Sequence, residues 1–90
     1  MSKQNDNWSL YIIEASDASY YTGITTDIQR RFDEHCQGQK GAKYFNGRSP
    51  VEVVYREHGH SRSSASRREA EIKKLSRSEK QSLITTAAQQ

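Results

Sequence analysis

Tyr20-Tyr21-Thr22-Gly23-Ile24, continued by Thr25-Thr26-Asp27-Ile28-Gln29-Arg30-Arg31, decides the fold. A run of aromatic and β-branched residues passes through a glycine and straight into a helix start. Ten residues earlier, Leu10-Tyr11-Ile12-Ile13 is a second strand-like run. Two such runs joined by the polar stretch Glu14 to Ser19 predict a hairpin. Each strand carries a tyrosine, and the helix that follows carries Arg31. In the first strand, about Trp8 to Ile13, Leu10 and Ile12 face one side and Tyr11 and Ile13 the other. In the second, about Ser19 to Ile24, Tyr21 and Gly23 share a face.

Asp27 is an N-cap for the helix, and Thr26 with Gln29 resembles a capping box. Ile28, Phe32 and Cys36, four apart, form its expected apolar stripe. Arg31 and His35, also four apart, border that stripe. Gly38 closes the helix. Gln39 to Pro50 reads as a loop, with Lys40, Lys43, Tyr44 and Arg48 mixing positive charge and an aromatic. Val51 to Tyr55 is the third strand, and its valines make it the expected most-buried one. His58-Gly59-His60 reads as a turn. A helix capped within Ser61–Ser64 runs to about Leu75 and carries Ala65, Arg68, Ile72 and Leu75 along one side, with Glu69 beside them. Ser76-Arg77-Ser78-Glu79 is a capping box that opens a last helix. The order is β-β-α-β-α-α: a small antiparallel sheet with helices packed on it.

Ninety residues make one small domain, which buries roughly 60–65% of its unfolded surface. Residues 1–7 are expected to be a loose leader, 8–85 the domain and 86–90 a frayed tail. No run approaches the roughly 20 apolar residues that span a bilayer, and Met1 to Asn7 has no apolar stretch of a signal peptide. Cys36 is the single cysteine and can form no internal disulfide, which points to a reducing cytoplasm. It is expected to be a half-buried helix residue. Residues 1–29 hold one base and four acids, net −3, and residues 30–90 thirteen bases and seven acids, net +6. That asymmetry suits a phosphate-bearing partner; it also suits a solubilising surface.

A carboxylate on the core-facing edge of a helix, as Glu69 is, costs energy unless paired or bound to a metal. A lone carboxylate with waters and substrate phosphates is how Mg²⁺ is usually held. An arginine clamps phosphate, and a tyrosine near a water or leaving oxygen can move a proton. Those parts compose a phosphodiester hydrolase with one metal. Each has a structural reading too. Tyr11 and Tyr21 can be sheet aromatics, Glu69 can pair with Lys73, and Arg31 can pair with Asp27.

Leu10-Tyr11-Ile12, then Tyr21-Thr22-Gly23, then Arg31, then Arg68-Glu69 with Ile72-Lys73 resemble the GIY-YIG nuclease superfamily, most of all its small stand-alone bacterial members. The resemblance extends to Gly41–Tyr44, the Pro50-Val51 strand start and the helix from Arg68 to Leu75, and covers roughly Trp8 to Ile84. It implies a three-stranded antiparallel sheet flanked by helices, and endonuclease chemistry with Mg²⁺ or Mn²⁺. It implies Tyr11, Tyr21, Arg31 and Glu69 as catalytic residues, Glu69 as the metal ligand, and His35 as a further member. Ser9 and Leu10 depart from the first motif and Thr22 from the second. No asparagine follows Glu69 as it does in larger members, and no separate DNA-binding domain is expected. Nucleic acid, above all DNA, is the implied partner, with Lys43, Arg48, Arg68 and Lys73 as phosphate-contacting candidates. Either tyrosine can be the base. A non-catalytic nucleic-acid-binding domain and a protein–protein adaptor are the competing readings.

Overall fold

The computed structural model describes residues 6–38, 45 and 47–88. The strands are β1 (Trp8–Ala15), β2 (Tyr20–Thr25) and β3 (Pro50–His60); the helices are α1 (Ile28–Gln37), α2 (Arg62–Lys73) and α3 (Arg77–Ala88). All three strands form one antiparallel sheet in the order β2-β1-β3. The architecture is thus β-β-α-β-α-α, as the sequence predicts.

The hairpin is built locally. Ala18 adopts φ 68° and donates its N–H to the Ala15 carbonyl at 2.8 Å, while Asp17 Oδ1 accepts from the Ser19 N–H at 3.1 Å. The Asp27 carboxylate accepts from Arg30 N–H at 3.0 Å and starts α1. Gly38, at φ 75°, ends it, a left-handed position that glycine fills without strain. Ser61 and Ser64 form a reciprocal capping box on α2. Ser76 and Glu79 do the same for α3, at 2.8 and 3.2 Å.

Three sequence expectations are corrected. The most buried strand is β1, not β3. Leu10, Tyr11, Ile12 and Ile13 are at most 1% exposed, whereas Val51 is 54% exposed. The reason is position: β1 is flanked on both sides, and β3 is an edge. The second correction is that His58-Gly59-His60 is no turn, because β3 continues to His60. Gly59 has φ 79° and lies where the register slips between the pairs Leu10–Glu57 and Trp8–His60. A left-handed glycine serves a β-bulge as well as a turn. A second slip leaves Val54 as an extra residue between the pairs Ile12–Tyr55 and Ile13–Val53. It lets Val54 and Tyr55, neighbours in sequence, both pack on the core. The third concerns Cys36, which is exposed. The buried residue of α1 is His35, about 100° around the helix from Cys36, so the stripe runs through Ile28, Phe32 and His35.

The core lies on one face of the sheet, where Leu10 and Ile12 meet Ile72 of α2, all fully buried, with Ile24, Leu75, Leu83 and Ile84 around them. Each fully buried aliphatic side chain contributes about 1.5–3 kcal/mol. The other face of β1 carries Tyr11, opposite Gly23, and Ile13, opposite Tyr21. The Tyr11 ring lies across Gly23: a Cβ there would sit 2.5 Å from the hydroxyl oxygen and 2.7 Å from Cζ. Gly23→Ala should therefore destabilise the domain by about 1–3 kcal/mol through overpacking. In a Tyr11→Ala background most of that loss should vanish. Denaturant unfolding of the four proteins measures the coupling, and additive losses would mean that the contact is not what requires glycine.

Candidate active site

The face of β1 opposite the aliphatic core gathers aromatic and charged groups under α1. The Tyr11 hydroxyl and His35 Nε2 are 3.1 Å apart; the two residues are 1% and 2% exposed. The Tyr21 ring meets His35 edge-on at 5.3 Å between centroids and is 6.3 Å from the Tyr11 ring. Phe45 closes the group, 5.3 Å from Tyr21 and 4.9 Å from His35. Tilted and edge-to-face pairs at these separations are favourable ring geometries. Phe45 escapes the sequence reading because its stretch reads as loop, where no periodicity assigns a side chain to a face.

Arg31 lies close enough to the Tyr11 hydroxyl to act on it by charge and by hydrogen bonding. Its NH1 is also paired with Glu34 Oε1 at 2.9 Å, so its local acid partner is Glu34. Burial works against the Arg31 charge, but the bonds to Glu34 and Tyr11 outweigh it and raise its pKa. Burial, with Tyr21 close by, pushes the Tyr11 phenol well above its ordinary value, and Arg31 only partly opposes this. Burial, followed by the Arg31 charge, lowers the His35 pKa below its usual value of 6.5. At neutral pH the pair is thus a neutral phenol against a neutral imidazole. Among the described residues, His35 Nδ1 is buried without a hydrogen-bond partner.

Glu69 comes from α2. Its side chain is 24% exposed, and its carboxylate is paired with Lys73 Nζ at 3.2 Å. It is near enough to Tyr11 to add to the cost of charging the phenol. Among the described residues no three His, Cys, Asp or Glu gather into a metal cage. A single, partly exposed carboxylate with a flexible lysine as partner still fits Mg²⁺ or Mn²⁺ held mostly by water and phosphate oxygens.

Tyr11, Tyr21, Arg31 and His35 thus form one cluster, with Glu69 within electrostatic reach. The proposed phosphate contacts are dispersed. Arg48 Nε pairs with Asp17 at the hairpin tip, 3.1 Å away. Lys43, with Lys40 and Tyr44, lies outside the described residues. Arg68 belongs to the other face. There Glu57 of β3, 19% exposed, accepts from Arg68 Nε at 2.9 Å and from the Tyr55 hydroxyl at 2.6 Å, and meets His60 Nε2 at 2.9 Å. Arg68 NH1 also bonds Glu71 at 3.2 Å. Burial alone would raise the Glu57 pKa; the bonds from Tyr55, His60 and Arg68 outweigh it and lower it. Nothing local in the sequence signals this network, whose closing pair is eleven residues apart.

The family model of the GIY-YIG catalytic domain matches residues 7–82. This chain belongs to the GIY-YIG family. Its relatives include a UPF0213 protein of Halobacterium salinarum, 54% identical over 75 residues that cover 83% of this chain and 96% of that one. A UPF0213 protein of Desulfotalea psychrophila is 49% identical over 77 residues, 86% of this chain and 70% of the other. The solution structure of a UPF0213 protein from Bacillus halodurans superposes with a TM-score of 0.56 at 44% identity, covering 88% of this chain and 83% of that one. A solution structure from E. faecalis gives 0.62 at 31% identity, with 100% and 94% covered. The fold is thus of nuclease type. In this GIY-YIG domain two departures from the motifs have distinct settings. Ser9, 7% exposed, has its hydroxyl 2.9 Å from His58 Nδ1. Thr22 faces away from Tyr11, opposite Ile12. Among the described residues, no helix of this domain is long and apolar enough to cross a membrane.

Glu57→Ala should cost the domain about 1–3 kcal/mol, because it strands three donors that now share one carboxylate. Arg68→Ala should cost less, since Tyr55 and His60 still satisfy Glu57. Urea titrations order the two variants, and equal losses would mean that Arg68 alone is what matters to Glu57.

Proposed function

We propose that this domain is an endonuclease that hydrolyses phosphodiester bonds of nucleic acid, DNA above all, with one divalent metal ion. The observation that carries the reading is the Tyr11 hydroxyl, held 3.1 Å from a buried His35 Nε2 and beside Arg31. The family match over residues 7–82 supports it. Glu69 is the residue that would hold Mg²⁺ or Mn²⁺, which when bound supplies positive charge at the phosphoryl oxygens. Arg31 stabilises the negative charge that builds on those oxygens.

The raised pKa of Tyr11 makes free tyrosinate scarce, so the phenol acts as a relay. It takes a proton from the attacking water as it passes its own to His35 Nε2. The water oxygen bonds to phosphorus, and the P–O bond breaks with its electron pair on the leaving oxygen, which takes a proton from solvent. The proton of the attacking water resides on the imidazole until it is released to solvent. Tyr11 is 1% exposed, so the water that it serves enters with the substrate. Tyr21, half-buried and edge-on to His35, holds the ring in place.

A non-catalytic nucleic-acid-binding domain of the same fold is the second reading. The Glu69–Lys73 pair at 3.2 Å favours it, because it occupies the carboxylate. Metal-dependent nicking of supercoiled plasmid decides between the two: activity in the wild type, lost in a folded Glu69→Ala variant, supports hydrolysis. Activity that survives Glu69→Ala defeats it. Within α1, Arg31→Ala should slow single-turnover cleavage roughly 10²-fold or more, about 3 kcal/mol. Arg30→Ala should change it little, because Arg30 is 61% exposed and only 4.0 Å from Glu34. Equal losses would refute the assignment of Arg31.

The pH profile gives a further check. His35 accepts a proton only when neutral, and its folded pKa lies below 6.5. The cleavage rate should therefore stay flat through neutrality and fall only on acidification below the ordinary histidine range. The same shift makes acid destabilising, because the unfolded chain takes up the proton first. A rate that falls already between pH 8 and 7 would contradict the relay.

A further inference from the structure

Beside Tyr11 on its other flank stands Arg56 of β3, its direct cross-strand partner. Directly opposed residues of an antiparallel pair project to the same face, with Cβ atoms about 4.5–5.5 Å apart. Arg56 is therefore on the site face, and it is exposed. The other arginines are engaged. Arg30, Arg31, Arg48 and Arg68 are ion-paired, Arg62 and Arg77 lie over the Trp8 and Tyr20 rings, and Arg67 bonds Ser63. Among the described residues Arg56 alone has no such partner.

His58 follows two residues later, on the same face about 6.6–6.8 Å along the strand, and is also exposed. Ser9, the buried β1 residue on that face, bonds its Nδ1 at 2.9 Å. When Ser9 donates, the Nε2–H of His58 is left as an outward donor. Two donors at that spacing match successive phosphates of one strand. The Tyr11 ring leans toward β2, over Gly23, and so leaves the β3 side of the face to Arg56.

We propose that the site face of β3 is a phosphate-binding strip, with Arg56 as its main contact and Ser9-oriented His58 as its second, that leads one nucleic-acid strand to Tyr11. The assignment rests on the nucleic-acid reading above but not on hydrolysis. It competes with a structural role for Arg56, since a charge on an edge strand also discourages pairing with another copy.

The test is fluorescence titration of a labelled DNA duplex at several salt concentrations, with no metal added, using the full chain. Each lost phosphate contact lowers the slope of log affinity against log salt by about 0.9. Arg56→Gln should lower the slope by about one and weaken binding several-fold at low salt. Arg56→Lys should keep the slope. Arg67→Gln, the same charge loss on α2, should leave both within error. Ser9→Ala should weaken binding less than Arg56→Gln, and no further once His58 is Gln. An unchanged slope for Arg56→Gln, or an equal drop for Arg67→Gln, overturns the strip while leaving the proposed function standing. Self-association of Arg56→Gln with unchanged slope also overturns it, in favour of the edge role. A wild type that does not bind DNA overturns both. Slope loss in Arg56→Gln together with a wild type that does not nick upholds the strip and defeats only hydrolysis.

Discussion

The contact between the Tyr11 ring and Gly23 is the constraint on which the site depends. It fixes three things at once. The phenol is laid flat across β2, so its hydroxyl reaches His35 of α1 at 3.1 Å. The missing Cβ lets that ring come down onto the neighbouring strand, closer than any side chain at position 23 would allow. The ring's lean keeps the β3 flank of the same face free. A small domain has few buried groups to spare, and here one of the largest is used to hold a hydroxyl in place.

The two faces of the sheet divide the work. One is aliphatic, built on Leu10, Ile12 and Ile72, and carries the Glu57 network at its rim. The other is aromatic and charged. Helix α2 joins them, because Arg68 and Glu69 are adjacent residues that project about 100° apart. Arg68 is tied to Glu57 on the aliphatic side, and Glu69, paired with Lys73, lies within electrostatic reach of Tyr11. The residue that clamps α2 to β3 is thus the immediate neighbour of the carboxylate proposed to bind metal.

Local signals carried much of this in the sequence. Alternation in Leu10–Ile13 separated the two faces, and Asp27, Ser61 and Ser76 announced the helix starts by chemistry that acts within three residues. The rest needed tertiary information. Gly59 reads identically as a turn or a bulge, since both use a left-handed glycine. His35 and Cys36 differ by one helical step, so only packing says which is buried. The valines of β3 signal a strand but not its place in the sheet, and an edge position leaves Val51 exposed. Arg68 looked like a phosphate ligand because its partner, Glu57, is distant in sequence. Arg56 looked ordinary because its significance lies in what stands opposite it.

The bulge at Val54 gives β3 one residue that the strand pairing does not need. Side chains alternate with period two, and without Val54 that alternation would run unbroken, with Val53 still opposite Ile13 and Tyr55 still opposite Ile12. Tyr55 and Glu57 would stay on the core face and Arg56 on the Tyr11 face, and only the packing of Val54 against the core would be lost. A deletion at this one point therefore acts like a substitution, on a single side chain. Among related chains, β3 can differ by one residue here without exchanging its two faces.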